Sequence, residues 1–121
     1  MMLVEGTRWV RVDDPRLENL AEGKLMRVIV KSKPICFVRM KGTLHALSDV
    51  CPHQGKSIAG GWCEEDHIVC PWHRMRFDPV TGRNAQGATT HAEVFALESR
   101  RDGVYLGFPY TTFKVFGIEL W

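Results

Sequence analysis

The chain has 121 residues, with 16 Lys+Arg against 14 Asp+Glu and a hydrophobic share of 45%. That length fits one domain of common size and is too short for a dinucleotide-binding domain with a separate substrate domain. The apolar share argues against global disorder, and a net charge of +2 lacks the basic excess of a nucleic-acid-binding module.

Taken in chain order, short apolar or alternating runs separated by turn signals predict an all-β fold. Residues 7–12 alternate with period two, as a half-buried strand does, and Asp13-Asp14-Pro15 stops them. Residues 16–23 read as a turn with one helical turn at most. Residues 25–31, 35–40 and 43–47 are three further strands, the last two joined by Lys41-Gly42 as a hairpin turn. Residues 48–62 contain Pro52, Gly55, Gly60 and Gly61 without sustained periodicity and read as a long loop. Residues 67–69 form a short strand leading into a second loop around Pro71, and residues 78–82 form a turn. Residues 93–99 and 104–108 close the series as a hairpin around Arg101-Asp102-Gly103. No helical pattern of useful length interrupts the series. With no repeat and no linker, residues 1–121 are expected to form one domain, with its core over 7–108 and an extension over 109–121.

The longest uncharged run, residues 104–113, includes Gly107 and Pro109 and falls well short of the roughly 18 residues a membrane helix needs. The start, Met1-Met2-Leu3-Val4-Glu5, lacks a basic segment followed by an apolar one, so no secretory signal is expected. A cytoplasmic location with reduced thiols is the resulting expectation, in which cysteines are metal ligands, nucleophiles or inert core residues.

Two loops each offer one Cys and one His: Cys51-Pro52-His53 and Cys70-Pro71-Trp72-His73. Four soft or borderline donors on two short loops point to a transition-metal site, held by Cys51, His53, Cys70 and His73. A zinc finger groups its cysteines at one end and its histidines at the other, whereas here the types alternate. A structural zinc site on the same four residues is the plainer alternative.

The two loops resemble the signature of the Rieske [2Fe–2S] family, C-x-H and then C-x-x-H after a spacer of this length. The surrounding words agree: Gln54-Gly55 after the first pair, then Arg76-Phe77-Asp78 and Thr81-Gly82 after the second. The resemblance covers roughly residues 7–108. It implies an antiparallel β-sandwich or barrel in which two loops at one end hold the cluster. Cys51 and Cys70 would bind one iron, and His53 and His73 the other, nearer the surface. Two thiolates and two neutral imidazoles leave the oxidised site uncharged, whereas four thiolates would leave it doubly negative. Adding an electron is therefore easier, and the class spans roughly −150 to +300 mV.

High-potential relatives carry a disulfide between the loops and Ser and Tyr hydroxyls donating to sulfur. The matching positions are Lys56, Trp72, Met75 and Phe77, which supply neither. A potential near the low end, about −150 mV, is the resulting expectation. Arg74 stands where the family most often has Gly. The covering segment G-P-A-x-x-P-L becomes residues 86–92 here, without either proline. Cys36, within an apolar strand, is expected to be a core thiol, and Cys63 a free thiol without a role. His45, His67 and His91 read as structural or solvated, with His91 placed closest to the cluster by its segment. Trp72 is expected to pack against its loop, and Phe113, Phe116 and Trp121 onto the domain.

Rieske oxygenases add a large catalytic domain with a mononuclear iron, for which this chain has no room. The resemblance implies a one-electron carrier, passing electrons from a flavin-containing NAD(P)H reductase to a terminal oxygenase. A small subunit of a larger reductase, such as assimilatory nitrite reductase, is the alternative.

Overall fold

The computed structural model describes residues 2–51, 55–71, 74–85, 91–115 and 118–119. Ten strands are described: β1 (Met2–Arg11), β2 (Leu25–Val30), β3 (Lys33–Met40), β4 (Thr43–Ser48), β5 (Trp62–Glu64), β6 (His67–Val69), β7 (Arg76–Phe77), β8 (Val94–Arg100), β9 (Gly103–Val115) and β10 (Ile118–Glu119). A 3-10 helix over Pro15–Asn19 is the only helical turn among the described residues, capped by the Asp14 side chain accepting from the Arg16 N–H. The all-β expectation holds, and every described strand pairing is antiparallel.

The larger sheet runs β1-β9-β8-β4-β3-β2, with β10 added to β9, and a second sheet is formed by β5-β6-β7. Four hairpins of described residues turn on two residues each; Arg101-Asp102, between Arg100 and Gly103, has ordinary negative φ, and the other three share a left-handed form. The registers Val30↔Lys33, Met40↔Thr43 and Glu64↔His67 leave Lys31-Ser32, Lys41-Gly42 and Glu65-Asp66 as the turns. All six residues have positive φ, the conformation that matches the right-handed twist of the flanking strands.

β3 explains how the two sheets become one body. Its segment Ile35 to Val38 is wholly buried, and its side chains alternate between two cores. Cys36 and Val38 join Leu47, Cys51, Ile58, Ile68, Cys70, Phe77 and Ala92 in the first core, against the small sheet. Ile35 and Phe37 join Val12, Leu17, Val30, Ala46, Phe95 and Leu106 in the second. A strand covered on both faces needs no polar alternation, which is why this run reads as continuously apolar. Each such side chain contributes roughly 1.5–3 kcal/mol of burial.

The sequence pattern located most strands and misjudged several lengths. β1 begins at Met2, five residues before the predicted start, because it pairs with β9 as far as Met2↔Lys114. β9 runs on to Val115 for the same reason, despite Pro109. β5, β7 and β10 are absent from the sequence pattern: β7 and β10 are two residues long, and Trp62-Cys63-Glu64 lacks the β-branched pair Ile68-Val69 that marks β6.

Candidate metal centre

The first loop leaves β4 at Asp49, which is buried to 3% exposure and organises the rest of the loop. Its carboxylate accepts from the Ser57 hydroxyl at 2.6 Å and from the Ala59 N–H at 2.6 Å. Arg27 on β2 reaches the same group, Nε to Oδ2 at 2.9 Å. The Asp49 N–H donates to the Pro34 carbonyl at 2.9 Å. One side chain thereby ties the far part of the loop to its start and to β2, while its backbone ties the start to β3. Further along, Gly61 passes so near β6 that an added Cβ would lie 1.9 Å from the Val69 carbonyl oxygen. Only glycine permits that approach.

The second loop joins β6 to β7 over residues 70–75. It is closed by the Cys70 N–H donating to the Met75 carbonyl at 2.8 Å. The first loop repeats this closure: the Cys51 N–H donates to the Lys56 carbonyl at 2.7 Å, again five residues on. In both loops the residue four beyond the cysteine is left-handed, Gly55 at φ 69° and Arg74 at φ 52°. Two segments of different sequence thus adopt corresponding turns and bring one cysteine each into the first core. Cys51 and Cys70 are both at 0% exposure there, and neither is in a disulfide.

Of the four predicted ligands, the structure therefore brings Cys51 and Cys70 to one core. His53 and His73 lie outside the described residues, as do Trp72, Phe116, Trp121 and residues 86–90 of the covering segment. Among the described residues no three His, Cys, Asp or Glu side chains converge as a metal group. The described side chains that share the core with the two thiols are apolar. Phe77 is fully buried, and Met75 packs against the same core. The Met75 sulfur accepts from the Asn84 side-chain amide at 3.3 Å, and Asn84 pairs with Phe77 in an isolated bridge. Neither Met75 nor Phe77 carries a hydroxyl that could donate to a sulfur.

Cys36 lies in the same core, and burial pushes its thiol far above the usual range, with the charges of Asp49 and Cys63 adding to the effect. It is the inert core thiol the sequence implies. Cys63 is half-buried, its thiol also pushed up by burial and then by Glu22. His91 is exposed. Asp49 and Asn84 are the positioning residues that sequence reasoning missed. Neither shows a pattern: Asp49 resembles any loop aspartate until the fold brings Ser57, Ala59 and Arg27 to it.

Residues 8–99 match the Rieske [2Fe-2S] domain family. The chain belongs to that family. A domain of this family carries a Rieske-type [2Fe–2S] cluster, and two cysteines buried in one core and outside any disulfide suit the cysteine half of such a site. The ferredoxin component of a naphthalene 1,2-dioxygenase system from Pseudomonas aeruginosa is 32% identical over 76 residues, covering 63% of this chain and 71% of that protein. Among solved structures, the complex of reduced oxygenase and oxidized ferredoxin in carbazole 1,9a-dioxygenase includes a similar chain. It has a TM-score of 0.69 at 28% identity, covering 80% of this chain and 99% of that one. A putative NADH-dependent nitrite reductase small subunit from Mycobacterium tuberculosis aligns with a TM-score of 0.68 over 89% of this chain and 97% of its own. At 16% identity that likeness concerns the fold alone.

Proposed function

We propose that this chain is a one-electron carrier whose cluster is held by Cys51 and Cys70 on one iron and by His53 and His73 on the other. The supporting observation is the matched pair of loops, each closed from Cys N–H to the carbonyl five residues on and each burying its thiol in the same core. When bound, the cluster supplies one-electron transfer; everything else comes from the chain. Cys51 and Cys70 bind as thiolates. Ile58, Ile68, Leu47 and Phe77, all fully buried, keep water from the sulfur side. The apolar side chains of Met75 and Phe77 withhold hydroxyl hydrogen bonds from sulfur, which leaves the added electron less stabilised. A potential of about −150 mV is expected.

The similar ferredoxin components serve dioxygenase systems. That likeness supports a terminal oxygenase as the acceptor, and we infer that the donor is a flavin-containing NAD(P)H reductase. The whole chain acts as one domain with its core over 7–108, and it works in the reducing cytoplasm, where cysteines stay available as metal ligands.

The deciding experiment is spectroscopic. The purified protein should be red-brown with matching iron and sulfide, and its reduced form should give a rhombic EPR signal with average g below the free-electron value. Cys70→Ser should lose nearly all of that signal. Colourless protein with stoichiometric zinc, or an unchanged spectrum in Cys70→Ser, would overturn the assignment. A redox titration with a midpoint above zero would refute the low potential.

A further inference from the structure

β9 has two edges, and only one of them is closed. On the β8 side, pairing stops at Ala96↔Gly107. Bonded pairs alternate along that register from Arg100↔Gly103, so the next would use Pro109, which has no N–H to give. Further along the same edge lies β10, at Ile118↔Val115. The other side of β9 is covered by β1, which is itself an edge strand of the large sheet.

The free edge of β1 carries no comparable guard. Its ladder runs one to one from Met2↔Lys114 to Arg11↔Tyr105 without a bulge, and the strand contains neither Pro nor Lys. The Val12 N–H donates to the Val104 carbonyl at 2.8 Å. Alternation from that bond turns the N–H and C=O of Leu3, Glu5, Thr7, Trp9 and Arg11 away from β9. Among the described residues no strand lies beside them. The two large side chains of this row lean inward. An added Cβ at Gly107 would lie 3.1 Å from the Trp9 ring, and Arg11 Nε donates to the Asp102 carbonyl at 2.9 Å. The sheet's other edge strand, β2, is shorter and is flanked by Lys24 and Lys31.

We propose that β1 pairs antiparallel with β1 of a second copy of this chain, about a two-fold axis at Thr7. The strand is complementary to itself in that register. Centring on Thr7 brings the whole open edge together, with Leu3 opposite Arg11 and Glu5 opposite Trp9 of the second copy. Glu5 then lies diagonal to Arg11 of the second copy on the same face, an opposite-charge contact made twice by symmetry. Both residues are exposed, and neither is in an ion pair among the described residues. Centring on Glu5 or on Arg8 would instead set like charges directly opposite. Beyond Gly107 the β1–β9 ribbon is two strands wide, a build that is marginal alone. Pairing makes it four. The contact uses the same surface on both copies, so assembly stops at two. A seam of single strands covers little side-chain surface, so the dimer is weak and dilute protein is monomeric.

The test is sedimentation velocity on the full chain from about 5 to about 500 μM, since assembly follows protomer concentration. The mass should rise from 13.8 kDa toward twice that value. A monomer throughout would overturn the proposal. Thr7→Pro removes an N–H that the β1–β9 ladder does not use, and should hold the protein monomeric. Ile29→Pro removes an outward N–H from β2 and should leave the dimer unchanged; the reverse pattern would move the interface to β2 and overturn the proposal. Glu5→Arg should weaken association at least about tenfold, and Glu5→Arg/Arg11→Glu should restore most of it. A charge swap that restores nothing would overturn the pairing. If circular dichroism shows that Thr7→Pro does not fold, this charge pair carries the test.

Amide exchange read by NMR gives a second signature. On going from dilute to concentrated protein, Glu5, Thr7, Trp9 and Arg11 should gain protection. Gly6, Arg8 and Val10 already bond to β9 and should change little. A uniform gain along β1 would mean that the copies stack face to face, which would also overturn edge pairing.

Discussion

Arg74 holds a left-handed backbone at φ 52° where its counterpart in the first loop is Gly55 at φ 69°. A side chain in that region costs roughly 1–2 kcal/mol, and glycine gives back roughly 0.5–1 kcal/mol through its extra freedom in the unfolded chain. Arg74→Gly should therefore raise stability by about 0.5–1 kcal/mol, seen as a thermal midpoint a few degrees higher by circular dichroism. A lower midpoint would mean that contacts of the guanidinium outweigh the strain. His45 gives a prediction of the opposite kind. Burial lowers its pKa from the usual 6.5, and Asp78 opposes the shift. It lies by a cavity of about 340 Å³ that Lys41, Asp66, His67 and Asp78 also line. A depressed folded-state pKa means that the unfolded chain binds the extra proton more readily. His45 therefore contributes its full stability above the unfolded value of 6.5 and loses it as pH falls through and below that value. The thermal midpoint of the native protein should fall faster between pH 7 and 5.5 than that of His45→Gln. Parallel curves would discard the assignment.

The first cysteine loop depends on one carboxylate more than on its own local turns. Asp49→Ala leaves the Ser57 hydroxyl and the Ala59 N–H without their acceptor, each a loss of roughly 1–3 kcal/mol. Arg27 is half-exposed and regains water, so it adds little. A destabilisation of about 2–4 kcal/mol is expected, with faster cluster loss on heating; a change below about 0.5 kcal/mol would show that the loop is held by other contacts. The same loop marks how far the sequence could be read. Its cysteine and histidine spacing was visible because ligand motifs are local, and the strands of the large sheet were visible where one face alternates. Asp49 was not, since its partners lie eight and ten residues ahead and on a different strand. The turns Lys31-Ser32 and Glu65-Asp66 were equally silent, since their positive φ is imposed by the pairing of the strands rather than by Asn or Gly. The three-residue β5 could be assigned only once β6 lay beside it.

At the scale of the molecule, two cores share one strand, and that sharing decides where the structure opens last. β3 is paired on both edges, by β2 and β4, and covered on both faces by different cores. Exposing its amides requires both cores to separate, which approaches global unfolding. The outer part of the β1–β9 ribbon is in the contrary position. From Met2 to Gly6, β1 pairs with β9 alone and is the edge of the large sheet. Its amides can exchange when the ribbon frays, without disturbing either core. Hydrogen exchange should therefore be slowest at Ile35 to Val38 and faster by orders of magnitude at residues 2–6. The cysteine loops should fall between them, since each is closed by its own backbone bond and yet packs on the shared core. Equal protection of the ribbon and β3 would show that the ends of β1 and β9 are bound into the cooperative unit. Loss of the cluster would separate the cases further. It removes support from the first core only, so protection should fall at Cys36 and Val38 more than at residues packed solely in the second core, such as Leu106.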